Sequence, residues 1–191
     1  MKQSAEFEAK ALVSETDFYK LLRHYPTHAK ATFKQTNYYF DTTDHRFKNQ
    51  HSALRIRQKE QTTELTAKIK TADHHQELTL PLTAAEFENI LTARTLTLPH
   101  TFKKKLAHLG HTIDKPVIKM TEFTTYRSEF AMEHSILFFD HTQFQDHEDF
   151  EIEVEATSTQ KAVDLLHLIL KTYDVSFTPS RPKIARALET H

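Results

Sequence analysis

Charged and apolar residues alternate strictly in three separate segments of this chain, at residues 6–10, 54–57 and 150–155. Successive side chains of a β-strand point to opposite faces of the sheet, so each segment predicts a strand with one apolar face and one charged face. Carboxylates dominate the charged face of the first and last segments, whereas the middle segment presents Arg55 and Arg57. Burying an isolated charge is costly. The chain therefore has to place its charged strand faces in water or around partners and a ligand.

The sequence as a whole predicts about eight strands with helices inserted between them. Strand patterns cover residues 6–13, 31–40, 54–59, 63–70, 76–82, 116–130, 135–139 and 150–156. Helical patterns cover residues 14–25, with a helix end at Pro26, then 83–93, 101–109 and the stretch after Ser158. A turn around Gln61 is expected to join two strands into a hairpin.

These elements predict an α+β fold in a single domain spanning residues 1–191. The apolar strand faces would pack under the helices, and the charged faces would line the inside of a closed antiparallel barrel. An eight-stranded barrel is wide enough to hold one small ligand. The alternative is a half-buried sheet whose charged face is in water, and it stays open for any single strand.

Composition excludes several other classes of site. The formal net charge of −1 argues against a general nucleic-acid binder, because such domains are usually basic. The absence of cysteine excludes disulfides, thiolate nucleophiles and cysteine-based zinc sites, and the 14 histidines offer no convincing set of three ligands. The single glycine, Gly110, is predicted to cap a helix. One glycine cannot form a P-loop or a dinucleotide-binding turn, so side chains must do most of any phosphate binding.

The N-terminal residues contain no apolar signal-peptide region, and no later apolar run is long enough to span a bilayer. We therefore expect a cytoplasmic protein with neither a membrane partner nor a nucleic-acid partner. The oligomeric state is left open by the sequence.

A set of short motifs then follows along nearly the whole chain, beginning with Glu6-Phe7-Glu8-Ala9-Lys10 in the form ExExK. The others, in order, are Tyr39-Phe40-Asp41, Leu54-Arg55-Ile56-Arg57, the stretch 65–70, Arg127, Asp140, the stretch 151–155 and Lys183-Ile184-Ala185-Arg186. In these residues the chain resembles the CYTH domain, or triphosphate tunnel metalloenzyme, superfamily. Its layout is most similar to the YjbK-type branch of small bacterial CYTH proteins. The resemblance implies a closed eight-stranded antiparallel tunnel with helices outside, which binds triphosphate-containing molecules and usually hydrolyses them with a metal.

The basic residues are candidate contacts for the phosphates. Guanidinium groups make bidentate contacts to phosphate oxygens, and ammonium groups provide compact point charges. The candidates are Arg55, Arg57, Lys68, Lys70, Arg127, Lys183 and Arg186. Salt bridging or solvent exposure is the alternative, and it stays open above all for Lys70 and Lys183.

The carboxylates are candidate metal ligands, because without a cation between them they would repel a triphosphate. Hard oxygen ligands suit Mg²⁺ or Mn²⁺, and a second metal could orient or activate water. The candidate ligands are Glu6, Glu8, Glu151 and Glu153, with Glu155 at the rim by the same spacing. Lys10 completes the candidate catalytic group with Glu6 and Glu8, either contacting a phosphate or holding the carboxylates.

Three functions remain open from the sequence. The leading prediction is a metal-dependent triphosphatase acting on inorganic triphosphate or on a nucleoside or organic triphosphate. The second is a non-catalytic module that binds polyphosphate or nucleotides; acidic residues on both the first and last strands weaken it, because binding alone needs mainly cations. The third is an activity like that of class IV adenylate cyclases or thiamine triphosphatases, which the superfamily also contains.

Overall fold

The computed structural model describes residues 1–25, 30–60 and 62–189, with the backbone alone at residues 30 and 31. In chain order the elements are β1 (Lys2–Glu6), β2 (Glu8–Val13), α1 (Glu15–Leu22), β3 (Lys30–Thr42), α2 (Arg46–Asn49), β4 (Ala53–Lys59), β5 (Thr62–Lys70), β6 (His75–Pro81), α3 (Ala84–Ala93), α4 (His100–His108), β7 (Val117–Met132), β8 (Ser135–Gln143), β9 (Glu148–Ala156), α5 (Thr159–Thr172), β10 (Thr178–Pro179) and α6 (Lys183–Ala187). The predicted helix end at Pro26 and the predicted turn residue Gln61 lie outside the described residues. No helix in the described part of the chain is long and apolar enough to cross a membrane.

The strands of the described residues pair in the order β1-β6-β5-β4-β3-β7-β8-β9-β2-β10. An α+β fold with an antiparallel sheet is confirmed. The closed eight-stranded barrel is not confirmed, because the order has ten strands, with β1 and β10 at its two ends. One extra strand arises because the N-terminal segment breaks at Phe7, so that β1 pairs with β6 and β2 pairs with β9. The other is β10, which pairs with β2.

The chain divides into two compact units. The first unit consists of residues 1–5 and 37–122, and the second consists of residues 6–36 and the chain from residue 123 onwards. Strands β3 and β7 contribute residues to both units. A single domain over the whole chain stays a prediction.

In the first unit, β4, β5 and β6 have one polar face and one apolar face. Their registers pair Arg55 with Thr66 and Thr66 with Thr79, so these polar side chains share a face. On the opposite face Ile56 is fully buried, in a hydrophobic cluster that includes Phe102 of α4 and residues of α3. The prediction that the apolar face packs against helices is therefore confirmed for Ile56.

In the second unit, β2, β8 and β9 are divided in the same way. Ala11 and Phe139 both pair with Ile152 across neighbouring strands, and all three are fully buried. They belong to a hydrophobic cluster that includes Leu21 of α1 and Leu166 of α5. The same prediction is confirmed for Ile152, so the polar faces of β2, β8 and β9 are turned away from this core.

Capping side chains set the ends of several helices. The Ser14 hydroxyl accepts a hydrogen bond from a backbone amide in the first turn of α1, at 3.1 Å. Thr83 and Glu86 form a reciprocal capping box at the start of α3. After α4, Gly110 adopts φ of 86° and its amide donates to the carbonyl of Ala107. The predicted glycine cap is confirmed, since this left-handed conformation costs glycine little.

The motif residue Asp41 anchors a turn that the sequence pattern did not predict. Its buried carboxylate accepts hydrogen bonds from the backbone amides of Thr42 at 2.7 Å, Phe47 at 3.0 Å and Lys48 at 3.0 Å. These three bonds hold the short helix α2 directly after β3. Asp41 therefore makes structural contacts with its own local backbone.

Candidate functional site

Three buried carboxylates meet on neighbouring strands of the second unit. Asp140 lies on β8 and pairs directly with Glu151 on β9, while Glu153 follows two residues later on the same face of β9. One oxygen of each carboxylate lies within 4.8 Å of the other two. All three residues are buried. The sheet register therefore gathers three negative charges that cannot rely on water for compensation.

Arg127 of β7 compensates two of these carboxylates. Its Nε donates to Asp140 Oδ1 and its Nη2 to Asp140 Oδ2, both at 2.6 Å, which is a bidentate contact. The same Nη2 donates to Glu153 Oε2 at 3.3 Å. The guanidinium also lies 4.1 Å from the ring centroid of Phe138. These contacts fix the position of the guanidinium. They are possible because Arg127 and Asp140 are direct partners across β7 and β8.

Lys10 of β2 reaches the cluster from the other side of β9. Lys10 pairs with Glu153, and its Nζ lies 3.7 Å from Glu153 Oε2. The same ammonium lies 2.9 Å from Glu8 Oε1. Lys10 thus contacts two of the predicted metal ligands, and its role stays a prediction.

The C-terminal segment supplies the remaining cations. Lys183, at the start of α6, lies 2.9 Å from Asp140 Oδ2, contacts Glu151 Oε1 directly and lies 4.0 Å from Glu153 Oε2. Arg186 donates from Nη1 to Glu151 Oε2 at 2.9 Å, and its Nε lies 3.0 Å from Asp149 Oδ2. The strand β10 pairs with β2, and this pairing brings the segment onto the sheet.

The directions of the pKa shifts show that these charges compensate one another. Burial lowers the pKa of Lys183, but Asp140 and Glu151 outweigh burial and raise it above the ordinary value. Burial raises the pKa of Asp140, but Arg127 and Lys183 outweigh burial and lower it. The same opposition lowers the pKa of Glu151, through Lys183 and Lys10. Lys183, Asp140 and Glu151 are therefore all ionised at neutral pH.

The three carboxylates form a suitable ligand set for a hard divalent cation. Mg²⁺ and Mn²⁺ prefer carboxylate oxygens, and ligands on adjacent strands are held at short range without a flexible loop. Glu151 and Glu153 were predicted as ligands from the sequence. Asp140 was one of the motif residues, but no metal role was predicted for it. The signal that could have found it is its position on the polar face of a strand next to β9.

The N-terminal carboxylates of Glu6 and Glu8 lie on two different strands. Glu6 ends β1 and Glu8 begins β2, so the prediction of one continuous strand over residues 6–13 is wrong. Phe7 interrupts the strand, yet one carboxylate oxygen of Glu6 and one of Glu8 lie within 4.8 Å of each other. Glu8 pairs across strands with Glu155, and both residues are partly buried.

The predicted phosphate contacts of the first unit share the polar face of β4, β5 and β6. Arg55 Nη2 donates to Glu77 Oε1 at 3.3 Å, and Lys68 pairs with the same Glu77 across β5 and β6. Arg57 Nε donates to Asn37 Oδ1 at 3.1 Å. Lys70 lies at the end of β5 and is exposed. The contact of each of these cations with phosphate stays a prediction.

Comparison with known proteins shows the family. The sequence profile of the CYTH domain matches residues 4–188, which is nearly the whole chain. The chain therefore belongs to the CYTH domain family. YjbK of Bacillus subtilis (strain 168), named as a candidate triphosphatase, is 26% identical over 193 residues, covering 99% of this chain and 97% of YjbK. The predicted likeness to the YjbK-type branch is confirmed.

Solved structures share this fold. A candidate adenylate cyclase from Bacillus halodurans superposes with a TM-score of 0.86 and 32% identity, covering 99% of this chain and 100% of that chain. A candidate adenylyl cyclase from Hippeastrum, HpAC1, described as having a dominant triphosphatase activity, superposes with a TM-score of 0.78 and 22% identity over 95% of this chain and 94% of that chain. At this lower identity the likeness shows a common fold.

Proposed function

We propose that this protein hydrolyses a small molecule containing a triphosphate in a metal-dependent reaction, and that inorganic triphosphate is its leading substrate. The observation that carries the proposal is the meeting of Asp140, Glu151 and Glu153 with cations from three different parts of the second unit. The name of YjbK, which is similar to this chain over nearly its full length, also supports a triphosphatase.

The cations of the second unit suit the negative charge of a phosphoanhydride. Charge in the transition state of phosphoryl transfer is spread over the phosphate oxygens, so catalysis depends on positioning and electrostatic stabilisation. Lys10, Arg127, Lys183 and Arg186 are the groups that we assign to this task. Arg55, Arg57, Lys68 and Lys70 of the first unit belong to the proposal as further phosphate contacts.

The carboxylates suit the metal side of the site. Asp140, Glu151 and Glu153 would hold Mg²⁺ or Mn²⁺, with Glu6 and Glu8 as further ligands. A metal bound there would neutralise phosphate charge and lower the pKa of a bound water. The predicted cytoplasmic location and the predicted lack of nucleic-acid and membrane partners are retained with the proposal.

A phosphate-release assay tests the proposal directly. The protein is incubated with inorganic triphosphate, ATP or thiamine triphosphate, each with Mg²⁺, with Mn²⁺ or with a chelator. We expect release from inorganic triphosphate that requires the metal. Binding of inorganic triphosphate without release in any metal would favour the non-catalytic binding module.

Glu8→Gln tests the role of the N-terminal carboxylates, because it removes the charge and nearly preserves the size. The Glu8 side chain is only 9% exposed and contacts Lys10, so we expect turnover to fall by at least about tenfold, the loss of roughly one charge-assisted contact. Glu15→Gln, at an exposed position of α1, is the matched control. Normal turnover and metal dependence of Glu8→Gln would remove Glu8 from the site.

An adenylate cyclase is the second candidate, because the similar structure from Bacillus halodurans is named as a candidate cyclase. A cyclase converts ATP to cyclic AMP and pyrophosphate, whereas a triphosphatase releases inorganic phosphate. Chromatography of the ATP reaction separates these products. Cyclic AMP as the main product would replace the proposed hydrolysis with cyclisation.

A further inference from the structure

The ammonium group of Lys183 lies among the same carboxylate oxygens that would bind a metal. It is 2.9 Å from Asp140 Oδ2, in direct contact with Glu151 Oε1 and 4.0 Å from Glu153 Oε2. These three residues are the ones whose oxygens come within 4.8 Å of one another. The Lys183 side chain is 13% exposed, so the ammonium is compensated by the carboxylates more than by water.

A divalent cation and this ammonium cannot use these oxygens at the same time. Mg²⁺ binds carboxylate oxygens at about 2.1 Å, and the Lys183 ammonium lies directly against the oxygens that Asp140 and Glu151 would offer. Two cations sharing one set of buried ligands would also repel each other strongly in surroundings with little water. Binding of a metal by Asp140, Glu151 and Glu153 therefore requires that the ammonium leave.

Lys183 can leave the oxygens of Asp140 more easily than Arg127 can. Arg127 is held by a bidentate contact with Asp140, lies over the ring of Phe138 and stands on the long strand β7. Lys183 has a flexible four-carbon stem with a single charged nitrogen, and it stands at the first position of the five-residue helix α6. Its stem can swing while the helix stays in place.

We infer that Lys183 is a displaceable internal counter-ion, which holds the carboxylates of Asp140, Glu151 and Glu153 until a divalent cation takes its place and the ammonium moves to the polyphosphate. The inference rests on the proposed function. It explains how three buried carboxylates remain compensated without a metal. It also implies that the metal alone binds weakly, because it must first displace an ion pair that is already formed.

Binding of Mn²⁺ alone, without substrate, tests the inference. The free Mn²⁺ signal in electron paramagnetic resonance is titrated with wild type, Lys183→Met and the control Lys161→Met. Lys161 lies on the exposed part of α5, and its Nζ donates to the hydroxyl of Thr157. We expect Lys183→Met to lower the Kd for Mn²⁺ at least about tenfold, corresponding to about 1.4 kcal/mol, and Lys161→Met to leave it unchanged. An equal or higher Kd in a folded Lys183→Met variant would overturn the inference.

A second measurement keeps the test decisive if Lys183→Met does not fold. In the wild type, reductive methylation followed by peptide mass spectrometry reports the accessibility of each lysine. We expect Lys183 to be protected in the free protein and to become reactive when Mn²⁺ is saturating. Continued protection under Mn²⁺ that is demonstrably bound would overturn the inference.

Neither measurement depends on turnover, so a failure of the counter-ion inference can be distinguished from a failure of the proposed triphosphatase activity. Hydrolysis of inorganic triphosphate with no competition between Lys183 and Mn²⁺ would leave the triphosphatase in place and remove the counter-ion. Competition between Lys183 and Mn²⁺ without hydrolysis would support the counter-ion and contradict the triphosphatase.

Discussion

Glu151→Gln should destabilise the protein strongly, because Glu151 is the carboxylate on which the C-terminal cations converge. It is fully buried, it contacts Lys183 and the Ser180 hydroxyl, and it accepts from Arg186 Nη1 at 2.9 Å. Glutamine keeps the size of the side chain but removes the negative charge. Two buried cations then lose a partner, while the packing around them stays the same.

The structure sets the size of the effect. Breaking a buried ion pair by removing one partner costs about 3–5 kcal/mol. Lys183 keeps Asp140 at 2.9 Å and Arg186 keeps Asp149 at 3.0 Å, so neither cation is left wholly uncompensated. We therefore expect the lower end of the range, about 3 kcal/mol. With a urea dependence of about 1–3 kcal/mol per M, the unfolding midpoint should fall by about 1 M or more.

Urea unfolding followed by far-UV circular dichroism measures this loss, since the chain has no tryptophan for fluorescence. Glu148→Gln on the same strand is the matched control. Its carboxylate is 52% exposed and pairs with His141 at 2.8 Å, and exposed pairs of this kind contribute only about 0–1 kcal/mol. A Glu151→Gln midpoint no lower than that of Glu148→Gln would refute the buried charge network.

A double variant separates the ion pair from packing. In Glu151→Gln with Lys183→Met, one carboxylate and one ammonium of the cluster are removed together. We expect the combined loss of stability to be smaller than the sum of the two single losses, because each single variant leaves a buried charge that has lost one of its partners. If the two losses of stability simply add, Lys183 and Glu151 do not stabilise the protein through their mutual contact.

Three further predictions concern other groups. Arg57→Ala should weaken the binding of inorganic triphosphate about tenfold or more, through the loss of one charge-assisted contact, and should weaken the binding of monophosphate less. Isothermal titration calorimetry with both ligands measures the two affinities. Equal losses of affinity would argue for a general structural role of Arg57. Against the effect of burial, Arg127 and Lys183 lower the pKa of Asp140, and Lys183 and Lys10 lower the pKa of Glu151. The stability that these carboxylates contribute is present above their ordinary pKa of about 4 and is lost as the pH falls through their folded values. Urea midpoints measured between pH 7 and pH 3 should therefore fall below about pH 4, and a flat profile would contradict this. Burial lowers the pKa of His111 despite the nearby Asp41. The stability contributed by neutral His111 is therefore present above about pH 6.5 and is lost as the pH falls through the pKa of the folded state. Between pH 7.5 and pH 5.5, His111→Gln should lose less stability than the wild type, whereas the exposed control His134→Gln should lose as much as the wild type.

The local pattern of the sequence determined much of the fold. Strict alternation predicted which side of a strand would pack against helices, and Ile56 and Ile152 both lie in helix-covered cores. Hydroxyl caps and one glycine placed the ends of helices, as Ser14 and Gly110 show. These features could be predicted because each depends on residues that are close in sequence, through the two-residue period of a strand or the first turn of a helix.

The tertiary structure alone decided which charges meet. Asp140 and Lys183 are far apart in sequence, and neither their spacing nor their residue types predicts that one ammonium lies against Asp140 and Glu151 together. The break at Phe7 was likewise hidden, because an uninterrupted alternation fits one strand as well as two strands with different partners. Alternation specifies the face on which a side chain lies, whereas contact across strands depends on register and on the path of distant segments. The sequence therefore predicted the members of the charged faces, and the pairing of strands with the C-terminal segment determined the cluster that they form.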